Sequence, residues 1–131
     1  MTDRELIKKA KEAAEHSYSP YSGFTVGAAL MTKGGKVYLG CNIENAAFGP
    51  TNCAERTAFF KALSEGEREF SKIAIVGGKG GIFTDFCPPC GVCRQVMAEF
   101  CSKDFTVVLG KDGDEIRSFS LEELLPQSFG L

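Results

Sequence analysis

Three cysteines in two short motifs could hold a metal ion beside a carboxylate. The first motif, C-A-E at 53–55, supplies one thiol and the carboxylate, and the second, C-G-V-C at 90–93, supplies two thiols. A catalytic zinc ion uses three protein ligands and keeps a fourth position open for water. A general acid or base must then lie within hydrogen-bond reach of that water. The pattern predicts a catalytic metal centre with candidate ligands Cys53, Cys90 and Cys93 and candidate proton carrier Glu55.

The spacing within each motif fits these roles. Cys90 and Cys93 are three residues apart, which places both sulfurs on one side of a helical turn. Glu55 follows Cys53 by two residues, which corresponds to a rotation of roughly 200° on a helix. Glu55 is therefore badly placed to share the metal with Cys53 and better placed to reach a bound water.

Three thiolates around Zn²⁺ carry a net charge of about −1, which weakens the ability of the metal to acidify water. Two helix N-termini facing the sulfurs would each offset this by roughly half a positive charge. Arg56 and Arg94 each follow a ligand motif directly, and either could donate hydrogen bonds to the sulfurs.

Cys87 leaves two other interpretations open. With Cys53, Cys90 and Cys93 it could complete a closed, structural zinc site without enzymatic activity. With Cys90 alone it could form a redox dithiol, C-P-P-C at 87–90. A redox motif of this type normally follows the first strand of a βαβ unit, which the sequence does not show.

Composition limits the possible partners. The chain has 131 residues, enough for one domain spanning 1–131, with 44% hydrophobic and 24% charged residues. Its net charge of −2 argues against a nucleic-acid partner. No apolar run is long enough to cross a membrane, so no membrane partner is expected. A charged N-terminus without a signal peptide, together with six cysteines, predicts reduced thiols and a cytoplasmic location.

Periodicity and turn signals predict the elements that position the two motifs. Helices are expected over 3–16 (closed off by Pro20), 53–63 and 90–101, and a capping box at Ser120 opens a short helix limited by Pro126. Strands are expected over 24–32, 36–41, 72–78, 105–109 and 115–119, with hairpin turns at 33–35 and 111–113 and loops at 42–52 and 79–89.

This order predicts an α/β fold, a three-layer α/β/α sandwich with a mixed central sheet of about five strands. Each cysteine motif falls where a loop enters a helix. Ligands at the ends of two neighbouring helices could therefore meet over one end of the sheet.

With these residues in place, the chain closely resembles the small zinc-dependent cytidine deaminases that assemble as homotetramers. Five segments carry the resemblance: P-Y-S-G-F-T-V-G-A-A-L at 20–30, G-C-N-I-E-N-A-A at 40–47, C-A-E-R-T-A at 53–58, P-C-G-V-C-R-Q at 89–95 and E-L-L-P at 123–126. Phe48 and Pro88 depart from residues that the family often carries, and the loop at 79–88 is slightly long. None of these departures touches a predicted ligand or the proton carrier.

The resemblance implies the deamination of free cytidine and 2′-deoxycytidine by zinc-activated water, with one zinc ion per chain and a role in pyrimidine salvage. It assigns the zinc ligands to Cys53, Cys90 and Cys93 and the proton shuttle to Glu55. It also implies a set of substrate contacts: Phe24 and Ala54 near the nucleoside, Asn42 and Glu44 on the ribose, and Phe129 reaching across a subunit interface. A carboxylate at Glu44 would repel a phosphate, which favours nucleosides over nucleotides.

One close alternative remains within the same fold. Enzymes acting on another aminopyrimidine nucleoside, such as blasticidin S, share the C-A-E and P-C-G-x-C-R-Q motifs. The intact N-I-E-N at 42–45 favours an ordinary ribonucleoside.

Overall fold

The computed structural model describes all residues, 1–131. It contains four helices and five strands, in the order α1 (Asp3–Ala14), β1 (Phe24–Thr32), β2 (Val37–Cys41), α2 (Ala54–Ser64), β3 (Phe70–Lys79), α3 (Gly91–Phe100), β4 (Thr106–Gly110), β5 (Ile116–Ser120) and α4 (Leu121–Leu124). The predicted order of elements is confirmed. No helix is both long and apolar enough to span a membrane.

The five strands form one mixed sheet in the order β2-β1-β3-β4-β5. Strand β1 runs antiparallel to both β2 and β3, so β2 and β3 point in the same direction. Strands β3 and β4 are parallel, and β5 returns antiparallel to β4. A parallel pair needs a crossover connection, and α3 lies within the segment that makes it.

Helices cover both faces of the sheet, which confirms the three-layer α/β/α prediction. On one face α1 packs Leu6 and Ala10 against β1, β3 and β4. On the other face α2 and α3 contribute Phe59 and Met97 to a larger core cluster, in which the ring of Phe59 meets Phe70 edge-on, with ring centroids 5.1 Å apart.

One glycine allows α2 to approach the sheet closely enough to position its first turn. A Cβ atom at Gly40 of β2 would lie 2.3 Å from the carbonyl oxygen of Ala54 and 2.6 Å from the backbone nitrogen of Ala58. Only a residue without a side chain fits there. The start of α2, which carries the C-A-E motif, therefore lies directly on β2.

Two elements, α1 and β3, have an end that lies two residues from its predicted position, and the other predicted ends of the strands and of α2 and α3 agree with the structure to within one residue. Helix α1 ends at Ala14 rather than at 16, several residues before Pro20, because the next three amides bond carbonyl groups only three residues back, as in a tightened last turn. Strand β3 extends beyond the predicted 72–78 at both ends, because it pairs with β1 over Phe24–Thr32. The capping box of α4 is confirmed, with reciprocal hydrogen bonds between Ser120 and Glu123.

Candidate active site

The two cysteine motifs meet because β2 and β3 are co-directional. Helix α2 follows β2 and α3 follows β3, so both helices begin beyond the carboxyl edge of the same two strands. Cys53 is the N-cap of α2, Cys90 is the N-cap of α3, and Cys93 lies in the first turn of α3. The partial positive charge of both helix N-termini is thus directed at the sulfurs.

The three sulfurs form a group of the right size for a metal ion. All three Sγ atoms lie within 4.8 Å of one another, and those of Cys53 and Cys90 are 3.7 Å apart. Tetrahedral zinc with Zn–S bonds of about 2.3 Å places two sulfurs about 3.8 Å apart. The donor set and its spacing therefore fit a zinc ion.

Arg56 and Cys93 favour the thiolate form of Cys53. The Nη2 atom of Arg56 donates to Cys53 Sγ at 3.2 Å. The Nε atom of the same side chain is buried and has no hydrogen-bond partner. Hydrogen bonding from the Cys93 thiol, together with that from Arg56, lowers the pKa of Cys53. The thiolate is the form in which a cysteine binds a metal.

Glu55 is a buried carboxyl group beside this cluster. Only 4% of its surface is exposed, and burial raises the pKa of Glu55 to about 7, helped by the negative charge of Cys53 and opposed by a hydrogen bond from Cys93. A carboxyl group with a pKa near neutrality can both accept and return a proton, which is what a general acid and base requires.

Arg94 does not reach the sulfurs, so the predicted hydrogen bond from this residue is wrong. Its Nε donates to the carbonyl of Pro89 at 2.8 Å, and its Nη1 donates to the carbonyl of Leu124 at 2.6 Å. These bonds tie the start of α3 to the end of α4. Arg94 therefore stabilises the backbone around the second motif instead of offsetting thiolate charge.

Cys87 lies near the cluster but outside it. The group of sulfurs able to share a metal consists of Cys53, Cys90 and Cys93 only. The Cys87 side chain instead packs against Gly77 of β3, where a Cβ atom would lie 2.6 Å from its sulfur. Burial raises the pKa of Cys87 to about 11, which keeps it a neutral thiol. The four-thiolate structural site is therefore not formed.

The predicted sugar contacts lie on the loop that follows β2. Asn42 Oδ1 accepts from the Val26 backbone nitrogen at 3.0 Å and from Ser17 Oγ at 2.5 Å, while Nδ2 donates to the Phe24 carbonyl at 2.7 Å. Glu44 accepts hydrogen bonds from the backbone at 21–22 and from the Ser22 hydroxyl. The Ser22 hydroxyl is the main cause of the lowered pKa of Glu44.

Glu44, but not Asn42, lines a surface cavity of about 300 Å³, together with Tyr21, Ser22, Asn45, Phe48 and Thr51. Phe24 lies at the edge of a second cavity of about 390 Å³. Phe24 is 38% exposed, and its Cε2 atom is 3.1 Å from where a Cβ of Gly77 would lie. An open aromatic face therefore stands beside the loop that carries Glu44.

Ala54 and Phe129 are the two remaining predicted contacts. Ala54 is fully buried, with its carbonyl against Gly40, so the structure leaves none of its surface open to a ligand. Phe129 is 69% exposed on the C-terminal segment, whose backbone at this residue accepts a hydrogen bond from Gln95 of α3 at 3.2 Å. The Phe129 ring is thus free to contact another chain.

Comparison with known proteins agrees with this geometry. Residues 1–109 match the family described as cytidine and deoxycytidylate deaminase zinc-binding region. The chain belongs to this deaminase family. The family membership predicted from the motifs is therefore confirmed.

Individual deaminases are similar over nearly the whole chain. A cytidine deaminase from Halalkalibacterium halodurans is 53% identical over 124 residues, which cover 95% of this chain and 91% of that protein. One from Sporosarcina psychrophila is 48% identical over 129 residues, covering 98% and 92%. The crystal structure of cytidine deaminase from Burkholderia pseudomallei shares 50% identity and a TM-score of 0.90, with 98% of this chain and 100% of that chain covered. These similarities confirm the predicted deaminase fold.

Sequence reasoning missed the two serines that bind Asn42 and Glu44, the predicted sugar contacts. Ser17 follows α1 and Ser22 lies in the P-Y-S-G-F segment, far along the chain from Asn42 and Glu44. Ser22 was visible only as part of a deaminase motif, and nothing in the pattern around Ser17 distinguishes it from an ordinary residue after a helix.

Proposed function

We propose that this chain hydrolytically deaminates free cytidine and 2′-deoxycytidine to uridine and 2′-deoxyuridine, with release of ammonia. The observation that carries the proposal is the burial of Glu55 beside three thiols spaced for zinc. Membership of the deaminase family and the names of the similar proteins support the same reaction.

In this proposal Cys53, Cys90 and Cys93 hold one zinc ion per chain. When bound, zinc supplies Lewis-acid chemistry that lowers the pKa of a water molecule toward neutrality. Arg56 stabilises the Cys53 thiolate through its hydrogen bond. The two helix N-termini offset part of the remaining negative charge.

Glu55 moves the protons of the reaction. Its carboxylate takes a proton from the water that attacks C4 of the pyrimidine and delivers it to the ring nitrogen N3. Glu55 then carries the second proton of the former water to the exocyclic amine, which leaves as ammonia. The burial that raises the pKa of Glu55 to about 7 suits a group that must alternate between both protonation states.

Recognition of the nucleoside falls to Phe24, Asn42 and Glu44. The exposed ring of Phe24 offers a face for the base, and the two polar side chains offer hydrogen bonds to the ribose. Glu44 would repel a phosphate group, so nucleosides are preferred over nucleotides. The role in pyrimidine salvage that the family resemblance implies is compatible with a free-nucleoside substrate.

Assembly and location complete the proposal. Phe129 and Phe48 are 69% and 76% exposed, and exposed aromatic rings of this size suit a contact between chains. We therefore infer a homotetramer in which a neighbouring subunit contributes Phe129 to each active site. None of the six cysteines forms a disulfide, which agrees with a reducing, cytoplasmic location.

Ammonia release from cytidine by zinc-loaded protein tests the reaction. Glu55→Gln keeps the size of the side chain but cannot carry a proton, so turnover is expected to fall by about a hundredfold to ten-thousandfold while zinc remains bound. Glu99→Gln, on the exposed face of α3, is the matched control and is expected to retain full turnover. A zinc-bound parent that releases no ammonia from cytidine or 2′-deoxycytidine would overturn the proposal.

A further inference from the structure

A single carboxylate fixes the loop that precedes β1. Glu44 Oε1 accepts from the backbone nitrogens of Tyr21 at 2.9 Å and Ser22 at 3.2 Å. Glu44 Oε2 accepts from the Ser22 hydroxyl at 2.5 Å. A carboxylate has about four acceptor positions. Three are therefore occupied, and the one that remains lies on Oε2, where the Ser22 hydroxyl determines its direction.

The amide of Asn42 is similarly restricted. Both acceptor positions of Oδ1 are taken, by the Val26 backbone and by Ser17, and one of its two N–H groups is taken by the Phe24 carbonyl. One N–H donor remains free. Asn42 and Glu44 together thus retain one donor and one acceptor. A sugar hydroxyl, which can accept one hydrogen bond and donate another, is complementary to that pair.

Ser22 connects Glu44 to the segment that carries the aromatic ring of Phe24. Its Oγ atom donates to Glu44 and also accepts from the Phe24 backbone nitrogen at 3.0 Å. Gly23, with φ of +69°, allows the tight turn between the two residues. One hydroxyl therefore sets both the orientation of the Glu44 carboxylate and the start of the strand that carries Phe24.

We propose that Ser22 is a positioning residue for sugar recognition, acting by orienting the free acceptor of Glu44 toward a ribose hydroxyl. The proposal rests on the proposed function, because it takes a nucleoside as the ligand. Ser22 does not take part in the proton transfers. Its loss should weaken the binding of ligands that carry a 2′- or 3′-hydroxyl more than that of ligands that lack both.

Ligand-observed NMR titration of zinc-loaded protein with uridine and 2′,3′-dideoxyuridine tests this role separately from turnover. Ser22→Ala is expected to weaken uridine binding by about tenfold, the effect of one hydrogen bond to a charged group. Binding of 2′,3′-dideoxyuridine should weaken much less than that of uridine, because Asn42 and the pairing of β1 with β3 still hold Phe24 in place. Ser22→Thr, which restores the hydroxyl at an exposed position, should recover uridine binding.

Ser102→Ala provides the matched control. Ser102 also donates to a nearby carboxylate, that of Asp104, but in the loop between α3 and β4. Its removal should leave the binding of both ligands unchanged.

The other possible results distinguish a failure of the role of Ser22 from a failure of the proposed reaction. Equal weakening of both ligands by Ser22→Ala, or no weakening of uridine, would overturn the role of Ser22 even if cytidine is deaminated. A parent that prefers uridine over the dideoxy ligand in a Ser22-dependent way but releases no ammonia from cytidine would instead overturn the proposed reaction alone. A parent that binds neither ligand would overturn the role of Ser22, while ammonia release from cytidine would still decide the proposed reaction.

Discussion

Arg56 provides the sharpest test of how a three-thiolate centre holds its metal. Its Nη2 atom lies 3.2 Å from Cys53 Sγ, and its Nε atom is buried and forms no hydrogen bond. Arg56→Ala removes a charged donor, and a hydrogen bond to a charged group contributes about 1.5–3 kcal/mol. Converted to an equilibrium constant, this predicts zinc binding weaker by about tenfold to a hundredfold, the range found for residues that support metal ligands.

The assay is competition for zinc against a chromophoric chelator at fixed pH and ionic strength. Arg56→Lys keeps the positive charge but loses the planar N–H group, so its zinc affinity should fall between those of the parent and Arg56→Ala. Arg68→Ala is the control, because Arg68 donates only to the backbone carbonyls of Leu63, in the last turn of α2, and of Glu67. If Arg56→Ala has the same zinc affinity and turnover as the parent, the hydrogen bond from Arg56 does not support the metal site.

Three further predictions concern packing and the remaining cysteines. Gly40→Ala places a Cβ 2.3 Å from the Ala54 carbonyl, so α2 must shift; urea titration should show a loss of about 1–3 kcal/mol, and an unchanged midpoint would contradict the close approach. Cys87→Ser should retain one zinc ion per chain in elemental analysis, because its sulfur packs on Gly77 outside the cluster; loss of zinc would revive the four-thiolate site. Burial raises the pKa of Cys101 to about 12 from an ordinary value of 9.0. Above pH 9 the unfolded chain therefore releases a proton that the folded one keeps, and stability falls as pH rises. In unfolding experiments between pH 8 and pH 10, the free energy of unfolding of Cys101→Val should fall less steeply with pH than that of the parent. The same slope in both proteins would contradict this prediction.

The two arginines show what sequence could and could not settle about the site. Arg56 lies three residues after Cys53, and side chains on a helix lean toward its N-terminus, so a contact with the sulfur was predictable. Arg94 follows its motif just as closely, but the carbonyls of Pro89 and Leu124 bind its guanidinium. The position of Leu124 depends on how α4 packs against α3, which local spacing does not encode.

Elements were predicted more reliably than the contacts between distant loops. Hairpin turns at 33–35 and 111–113, and the capping box at Ser120, are local signals and were confirmed. The bonds from Ser17 to Asn42 and from Ser22 to Glu44 join residues more than twenty positions apart. They depend on the direction in which the loops leave β2 and approach β1, so they emerged only from the three-dimensional structure.

The placement of the sulfurs on two different helices also has a mechanical consequence. A zinc ion held by Cys53 at the start of α2 and by Cys90 at the start of α3 would close a loop of 37 residues, with β3 inside it. An ion that binds the folded chain and is released on unfolding stabilises the fold by mass action, by about 4 kcal/mol when free zinc is a thousandfold above its Kd. The ion would then link the two segments on either side of β3, the central strand of the sheet, and its removal would break that link. A cell short of zinc would lose part of the folded enzyme as well as its activity.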